Sequence, residues 1–195
     1  MWGRRIVAKI KIVGVSGSLR QQSFNTALLR NVAGLLPADA ELLIYTELAE
    51  LPLFNPDIDA LEATPAVAHW RAALRAADSL IFSTPEYAHG VPGALKNALD
   101  WVVGSGELVD KPMLLFSASS SPTGGDKASA HLAGTLQVMT GAIIEDGELC
   151  VGSVGKKIDA NGRLHDEATI TLIQAMLLAL LEQIKTNRAA ELSMS

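Results

Sequence analysis

The stretch from Lys9 to Leu36 constrains the fold of this chain more than any other. Lys9-Ile-Lys-Ile-Val-Gly-Val15 begins by alternating and becomes apolar throughout, as a strand entering a buried sheet does. Gly17-Ser-Leu-Arg-Gln-Gln-Ser-Phe-Asn25 follows with no apolar period. From Asn25 onward, Leu28, Leu29, Val32, Leu35 and Leu36 recur at helical spacing, which predicts a helix with Asn25 as its cap. Open backbone N–H groups and the positive end of the helix dipole then face a hydroxyl-rich turn. Such a turn is an anion site, and a phosphate is its natural occupant. On the turn alone, an ordinary βα connection with a capped helix explains the residues equally well.

The type of phosphate ligand can be narrowed. The Walker pattern GxxxxGK[ST] is absent, and so is the dinucleotide pattern GxGxxG, since the turn offers only Gly14 and Gly17. Hydroxyls of Ser16, Ser18, Ser23 and Thr26 remain, with Arg20 as the one cation. Many neutral donors and a single guanidinium suit a terminal phosphate monoester.

Further along, Glu41–Tyr45, Ser79–Ser83 and Pro112–Ser117 read as strands, and Ala142–Ile144 and Glu148–Val151 suggest a fifth, interrupted or preceded by the turn at Asp146-Gly147. Helices are predicted from Thr64-Pro65 through Ala77, over 94–103 and over 127–139. The last helix carries Ile173, Met176, Leu177, Leu180, Leu181 and Ile184 on one face. Leu51–Asp57, with Pro52 and Pro56, is expected to hold no regular structure, and Met1–Arg5 reads as a loose leader. With no internal repeat or linker, residues 1–195 read as one domain with its core over about 8–185.

Strands alternating with helices imply an α/β domain, its parallel sheet covered on both faces. Ligands of such sheets sit beyond the carboxyl ends of the strands, at the switch in strand order. Three loops lie there, 16–25, 84–93 and 117–125, and all are rich in Gly, Ser, Thr and Pro. Loops at the opposite end share no chemistry, so one site built from three loops is expected. Thr84-Pro-Glu-Tyr-Ala-His-Gly-Val-Pro-Gly93 is stiffened by two prolines and suits a flat heterocycle with a polar rim. Gly124-Gly125 lets main chain approach the same ring. A monophosphate on the first loop and a planar ring on the others point to flavin mononucleotide (FMN).

The charge balance of −5 argues against a protein that tracks nucleic-acid backbone. The longest apolar run of the last helix, Ala175–Leu181, is far short of the roughly 18 residues of a membrane span. Lys9 and Lys11 interrupt what would be the apolar region of a signal peptide. Cys150 is the single cysteine, which makes the cytoplasm the expected location and leaves Cys150 as a buried small hydrophobe.

Residues 17–25 resemble the GSLRxxSxN signature of the NADPH-dependent FMN reductase family, which includes bacterial quinone, chromate and azo reductases. Thr84-Pro-Glu-Tyr87 with Val91-Pro-Gly-Ala-Leu-Lys-Asn-Ala-Leu-Asp-Trp101 resembles its second signature, and Leu51-Pro-Leu-Phe-Asn55 another recurrent segment. The resemblance implies a flavodoxin-like three-layer fold with strand order 2-1-3-4-5, assembled as a homodimer or homotetramer. It implies that Ser18, Arg20, Ser23 and Asn25 hold the phosphate, with Ser16 and Phe24 beside them. Pro85, Glu86 and Tyr87 would line the isoalloxazine, and Ser117 and Gly124 would touch the ring or ribityl chain. Many members have Asn after the Glu-Tyr pair; here Ala88 leaves only its backbone N–H.

The implied activity passes hydride from NADPH or NADH through flavin N5 to a quinone-like, azo or other oxidised small-molecule acceptor, or to flavin. No side chain is needed as nucleophile or base, and Glu86 reads as positional. Donors near Gly124 would stabilise the reduced flavin. Tyr87 suits packing on the flavin or on a subunit contact, and His89 suits either solvent or an incoming acceptor. The alternatives are a flavodoxin-like FMN electron carrier without turnover of its own and a nucleotide-binding regulatory subunit with no flavin.

Overall fold

In the computed structural model, which describes residues 9–61 and 64–194, Ile10–Ser16 (β1) lies at the turning point of the sheet. It pairs in parallel with Ala40–Tyr45 (β2) on one side and Ser79–Thr84 (β3) on the other. Pro112–Ala118 (β4) and Ala142–Val151 (β5) extend the sheet, giving the order β2-β1-β3-β4-β5, parallel throughout. The helices are Phe24–Leu35 (α1), Pro56–Leu61 (α2), Pro65–Ala76 (α3), Gly93–Asp100 (α4), Asp126–Val138 (α5) and Glu167–Met194 (α6). This is the α/β domain the sequence predicts, with the flavodoxin-like strand order that the family resemblance implies. The expected leader, residues 1–5, lies outside the described residues.

Strand alternation sorts the apolar residues into two cores. Ile10, Ile12, Ile81, Leu114 and Phe116 face α1 and α6, meeting Leu28, Val32, Leu177 and Leu180. Val13, Val15, Leu80, Phe82, Met113 and Leu115 face the other way, toward Trp70, Leu74, Leu99 and Leu132. Trp70 is fully buried, and its Nε1 donates to the Ala98 carbonyl at 2.8 Å, so the indole leaves no polar atom stranded.

Four local expectations change. Pro56 and Asp57 are the first turn of α2: a proline at the first helical position gives up an N–H the helix cannot use. Asn55 Oδ1 accepts the Asp57 N–H at 2.9 Å. The preceding segment is pinned from α4, with the Asn97 side chain accepting from Phe54 N and donating to the Pro52 carbonyl. Trp101 Nε1 donates to that carbonyl as well, and its ring meets Phe54 edge-on. Second, β5 runs unbroken through Asp146 (φ 54°), the turn signal being absorbed as a register shift between Met113 and Leu115. Third, Cys150 is exposed, because β5 is the last strand of the sheet. Fourth, α6 is long and apolar enough to cross a membrane by length and composition, with a mean hydropathy of 1.4, which a count of consecutive apolar residues misses. Its Ile173, Leu177, Leu180, Leu181 and Ile184 are buried in the second core.

Candidate functional site

The first loop leaves β1 at the switch in strand order. Gly17 N–H donates to the Ser83 carbonyl at 2.9 Å, and a Cβ at Gly17 would sit 3.1 Å from Thr84 Oγ1. Ser16 Oγ accepts from Ser18 N and from Thr26 Oγ1, so Ser16 shapes the turn from within. Ser18 Oγ in turn accepts the Arg20 N–H. The cap of α1 is Ser23, whose Oγ accepts the Thr26 N–H, and not Asn25 as expected. Phe24 and Asn25 therefore carry first-turn N–H groups that no helical carbonyl can satisfy.

Asn25 is buried at 2% exposure and does different work. Its Nδ2 donates to the Ala118 carbonyl at 3.0 Å, while Oδ1 accepts Ala118 N–H at 3.1 Å and Ser83 Oγ–H at 2.9 Å. One side chain thus joins the start of α1 to the ends of β3 and β4.

In the second loop, Glu86 Oε2 accepts the N–H groups of Lys127 and Ala128, at 2.9 and 3.1 Å. It caps α5, whose own cap position is Gly125 and has no side chain to offer. Tyr87 and Gly90 exchange backbone hydrogen bonds around Ala88 (φ 48°) and His89 (φ 61°), a tight left-handed turn. Tyr87 is half exposed, and the His89 ring is mostly solvated, 3.2 Å from Glu86 Oε1.

In the third loop, Ser117 is fully buried, with the Thr84 and Gly124 carbonyls at 2.9 and 2.7 Å from its Oγ. Gly125 has φ 89°, and a Cβ there would fall 2.4 Å from Ser117 Oγ. A Cβ on Gly124 would fall 2.7 Å from the backbone of Cys150, and its N–H is spent on the Ser121 carbonyl. The Cys150 thiol is pushed up in pKa by burial of the part that is covered, the opposite of an activated thiolate.

The three loops enclose a cleft of about 180 Å³. Ser18, Arg20, Ser23, Phe24 and Asn25 line it from the first loop, and Pro85, Glu86 and Tyr87 from the second. Ser16, Ala88, Ser117 and Gly124 are not among its lining residues. Ala118, Ser119 and Ser120 take the place of the third-loop candidates. Sequence reading passed over those two serines individually, although a serine run directly after a strand repeats the signal of the first loop. The Arg20 guanidinium has no hydrogen-bond or ion-pair partner among the described residues. Hydroxyls, first-turn N–H groups and one free guanidinium fit a phosphate monoester, and the only carboxylate present is turned to the α5 N-terminus.

Comparison with known proteins places the chain in a family. Residues 10–156 match the family model of NADPH-dependent FMN reductase. An NAD(P)H-dependent FMN reductase of Pseudomonas aeruginosa is 39% identical over 173 residues, covering 88% of this chain and 93% of its own. A quinone reductase of Escherichia coli is 32% identical over 181 residues, covering 91% and 96%. Among solved structures, FerB, a flavoenzyme NAD(P)H:(acceptor) oxidoreductase of Paracoccus denitrificans, aligns with a TM-score of 0.82 at 26% identity, covering 91% of this chain and 98% of its own. The chain belongs to the NADPH-dependent FMN reductase family.

Proposed function

We propose that this chain binds FMN in the three-loop cleft and uses NAD(P)H to reduce small oxidised acceptors, quinones first among them. FMN-dependent oxidoreductase chemistry is the family's own. The observation that carries the reading is the meeting of Ser18, Ser23 and the unpartnered Arg20 guanidinium at the α1 N-terminus, beside Pro85–Tyr87. FMN, when bound, supplies the centre that accepts and releases hydride. Arg20 and the first-turn N–H groups offset the phosphate charge, and the serine hydroxyls fix its orientation. Asn25, Ser117, Gly124 and Gly125 hold the three loops in register. Glu86 positions α5, and no side chain is assigned as nucleophile or general base.

The quinone class is supported by relatives named as quinone reductases. A cytoplasmic location and assembly as a homodimer or homotetramer belong to the same reading. Val103 and Val138, 60% and 85% exposed, line a large apolar groove between α4 and α5 that such an assembly would cover. Light scattering on the purified protein reads the assembly directly.

Two measurements test the function. The purified protein should be yellow, and the double variant Ser18→Ala, Arg20→Ala should lose its flavin on gel filtration; unchanged retention overturns the site. Anaerobic mixing with NADPH should bleach the flavin rapidly and a quinone should restore its colour. Colour that persists with NADPH identifies an electron carrier instead.

A further inference from the structure

We propose that a second cavity, beside the phosphate cleft, receives the adenosine 2′-phosphate of NADPH, and that Arg30 makes the chain prefer NADPH to NADH. The cavity, of about 500 Å³, lies between the N-terminal half of α1 and the turn at 158–162. Arg20, Ser23 and Phe24 line both it and the cleft, so the two spaces adjoin along those residues. The proposal rests on the reading of that cleft as the FMN site.

The walls are built rather than incidental. Asp159 Oδ1 accepts the N–H groups of Asn161 and Arg163, at 2.8 and 2.9 Å, which closes the turn on itself. Asn31 pins the turn to α1: its Nδ2 donates to the carbonyls of Ala27 and Gly162, and its Oδ1 accepts Leu164 N–H at 3.0 Å. Ile158 and Leu164 form a bridge and are both buried.

Charge points to the ligand. Arg71, Arg75 and Arg188 pair with Asp59, Glu107 and Asp78. The Arg20 and Arg30 guanidinium groups have no such partner among the described residues, and both line this cavity. The one carboxylate on its wall, Asp159, is committed to its own turn, and those backbone donors hold its pKa below the usual carboxylate range. With Arg20 assigned to the FMN phosphate, the unpaired Arg30 guanidinium is the charge this cavity offers to a second anion. Amides of Gln21, Gln22 and Asn161 offer donors and acceptors for the rim of a purine, and Phe24 offers an apolar surface. NADPH carries a phosphate monoester on its adenosine and NADH does not, and the Arg30 guanidinium reads that difference.

The test is calorimetric titration of the purified protein with 2′,5′-ADP and with 5′-AMP, alongside steady-state kinetics with both reductants. Wild-type protein should bind 2′,5′-ADP about tenfold more tightly than 5′-AMP, as one charge-assisted contact implies. Arg30→Ala should erase that difference and lower the ratio of kcat/KM for NADPH over NADH by about tenfold. Arg163→Ala, on the same turn but outside the cavity lining, should leave both readouts unchanged. Equal affinity for the two nucleotides in wild type, or a preference that survives Arg30→Ala, overturns the proposal. Tighter retention of FAD than of FMN overturns it too, since the adenylate half of the flavin would then fill the cavity. A colourless protein that refuses FMN yet discriminates the nucleotides through Arg30 supports the cavity and sinks only the reading of the cleft.

Discussion

The side-chain amide of Asn25 and the backbone of Ala118 exchange two hydrogen bonds, Nδ2 to O at 3.0 Å and N to Oδ1 at 3.1 Å. The Ser83 hydroxyl adds a third bond to the same Oδ1. All of these groups are out of water, so truncation would leave a buried N–H, a carbonyl and a hydroxyl unsatisfied at once. Asn25→Ala should cost about 3 kcal/mol in urea unfolding. It should also loosen FMN binding, because α1 and β4 carry opposite sides of the cleft. Asn25→Asp is the finer test: it keeps the acceptor but sets an anionic oxygen against the Ala118 carbonyl. A loss under about 0.5 kcal/mol for Asn25→Ala would show that the clamp is dispensable.

Glu86 invites assignment as a proton donor because it lines the cleft, yet its Oε2 is held by the Lys127 and Ala128 N–H groups. Capping from another segment serves α5 where Gly125 cannot. Glu86→Ala should therefore destabilise the fold by about 1 kcal/mol, and Glu86→Gln by less, since an amide oxygen still accepts. Neither substitution should remove an ionisation from the pH dependence of quinone reduction. A limb of that profile that vanishes in Glu86→Gln would return the residue to proton transfer.

Ala88 and His89 both hold positive φ, at 48° and 61°, in the turn closed by Tyr87 and Gly90. A β-carbon is disfavoured there by about 1 kcal/mol, a penalty glycine avoids and asparagine reduces. Ala88→Asn and His89→Gly should each raise stability by roughly 0.5 to 1 kcal/mol in chemical denaturation. Because the loop borders the cleft, the FMN dissociation rate of each variant shows whether the strained turn also sets flavin affinity.

The alternation of layers could be read from the sequence because each strand announces itself by local composition and the three functional loops share one chemistry, whereas the strand order rests on the family resemblance. Ser23 and Asn25 show where that legibility stops. Both are good caps two residues apart, and what removes Asn25 from the role is Ala118, 93 residues away. Ser117 and Gly124 were expected at the ring, but their bonds to the carbonyls and backbone of neighbouring loops arise only once β3, β4 and β5 are side by side. Cys150 looks like a core residue along its own strand, and only the strand order reveals that β5 is an edge. Ser119 and Ser120 were within reach of sequence reasoning and needed the same weight as the serines of the first loop.

Asp166 precedes α6 and accepts both the Thr169 hydroxyl and the Thr169 N–H through Oδ2. Those two bonds, with the Lys157 ammonium at 3.7 Å, hold its carboxyl below the ordinary range. A carboxyl whose pKa is lower in the folded chain binds its proton more weakly there than in the unfolded chain. Its contribution to stability is thus complete above the unfolded value of about 4 and is lost as pH falls through the depressed folded value. Asp166→Asn keeps an acceptor for the cap but cannot titrate. The variant should melt below wild type at about pH 7, and the two melting curves should draw together as the pH is lowered to about 2. Melting temperatures followed by circular dichroism across that range decide the matter: a gap that stays constant would mean that Asp166 acts through geometry alone, without its charge.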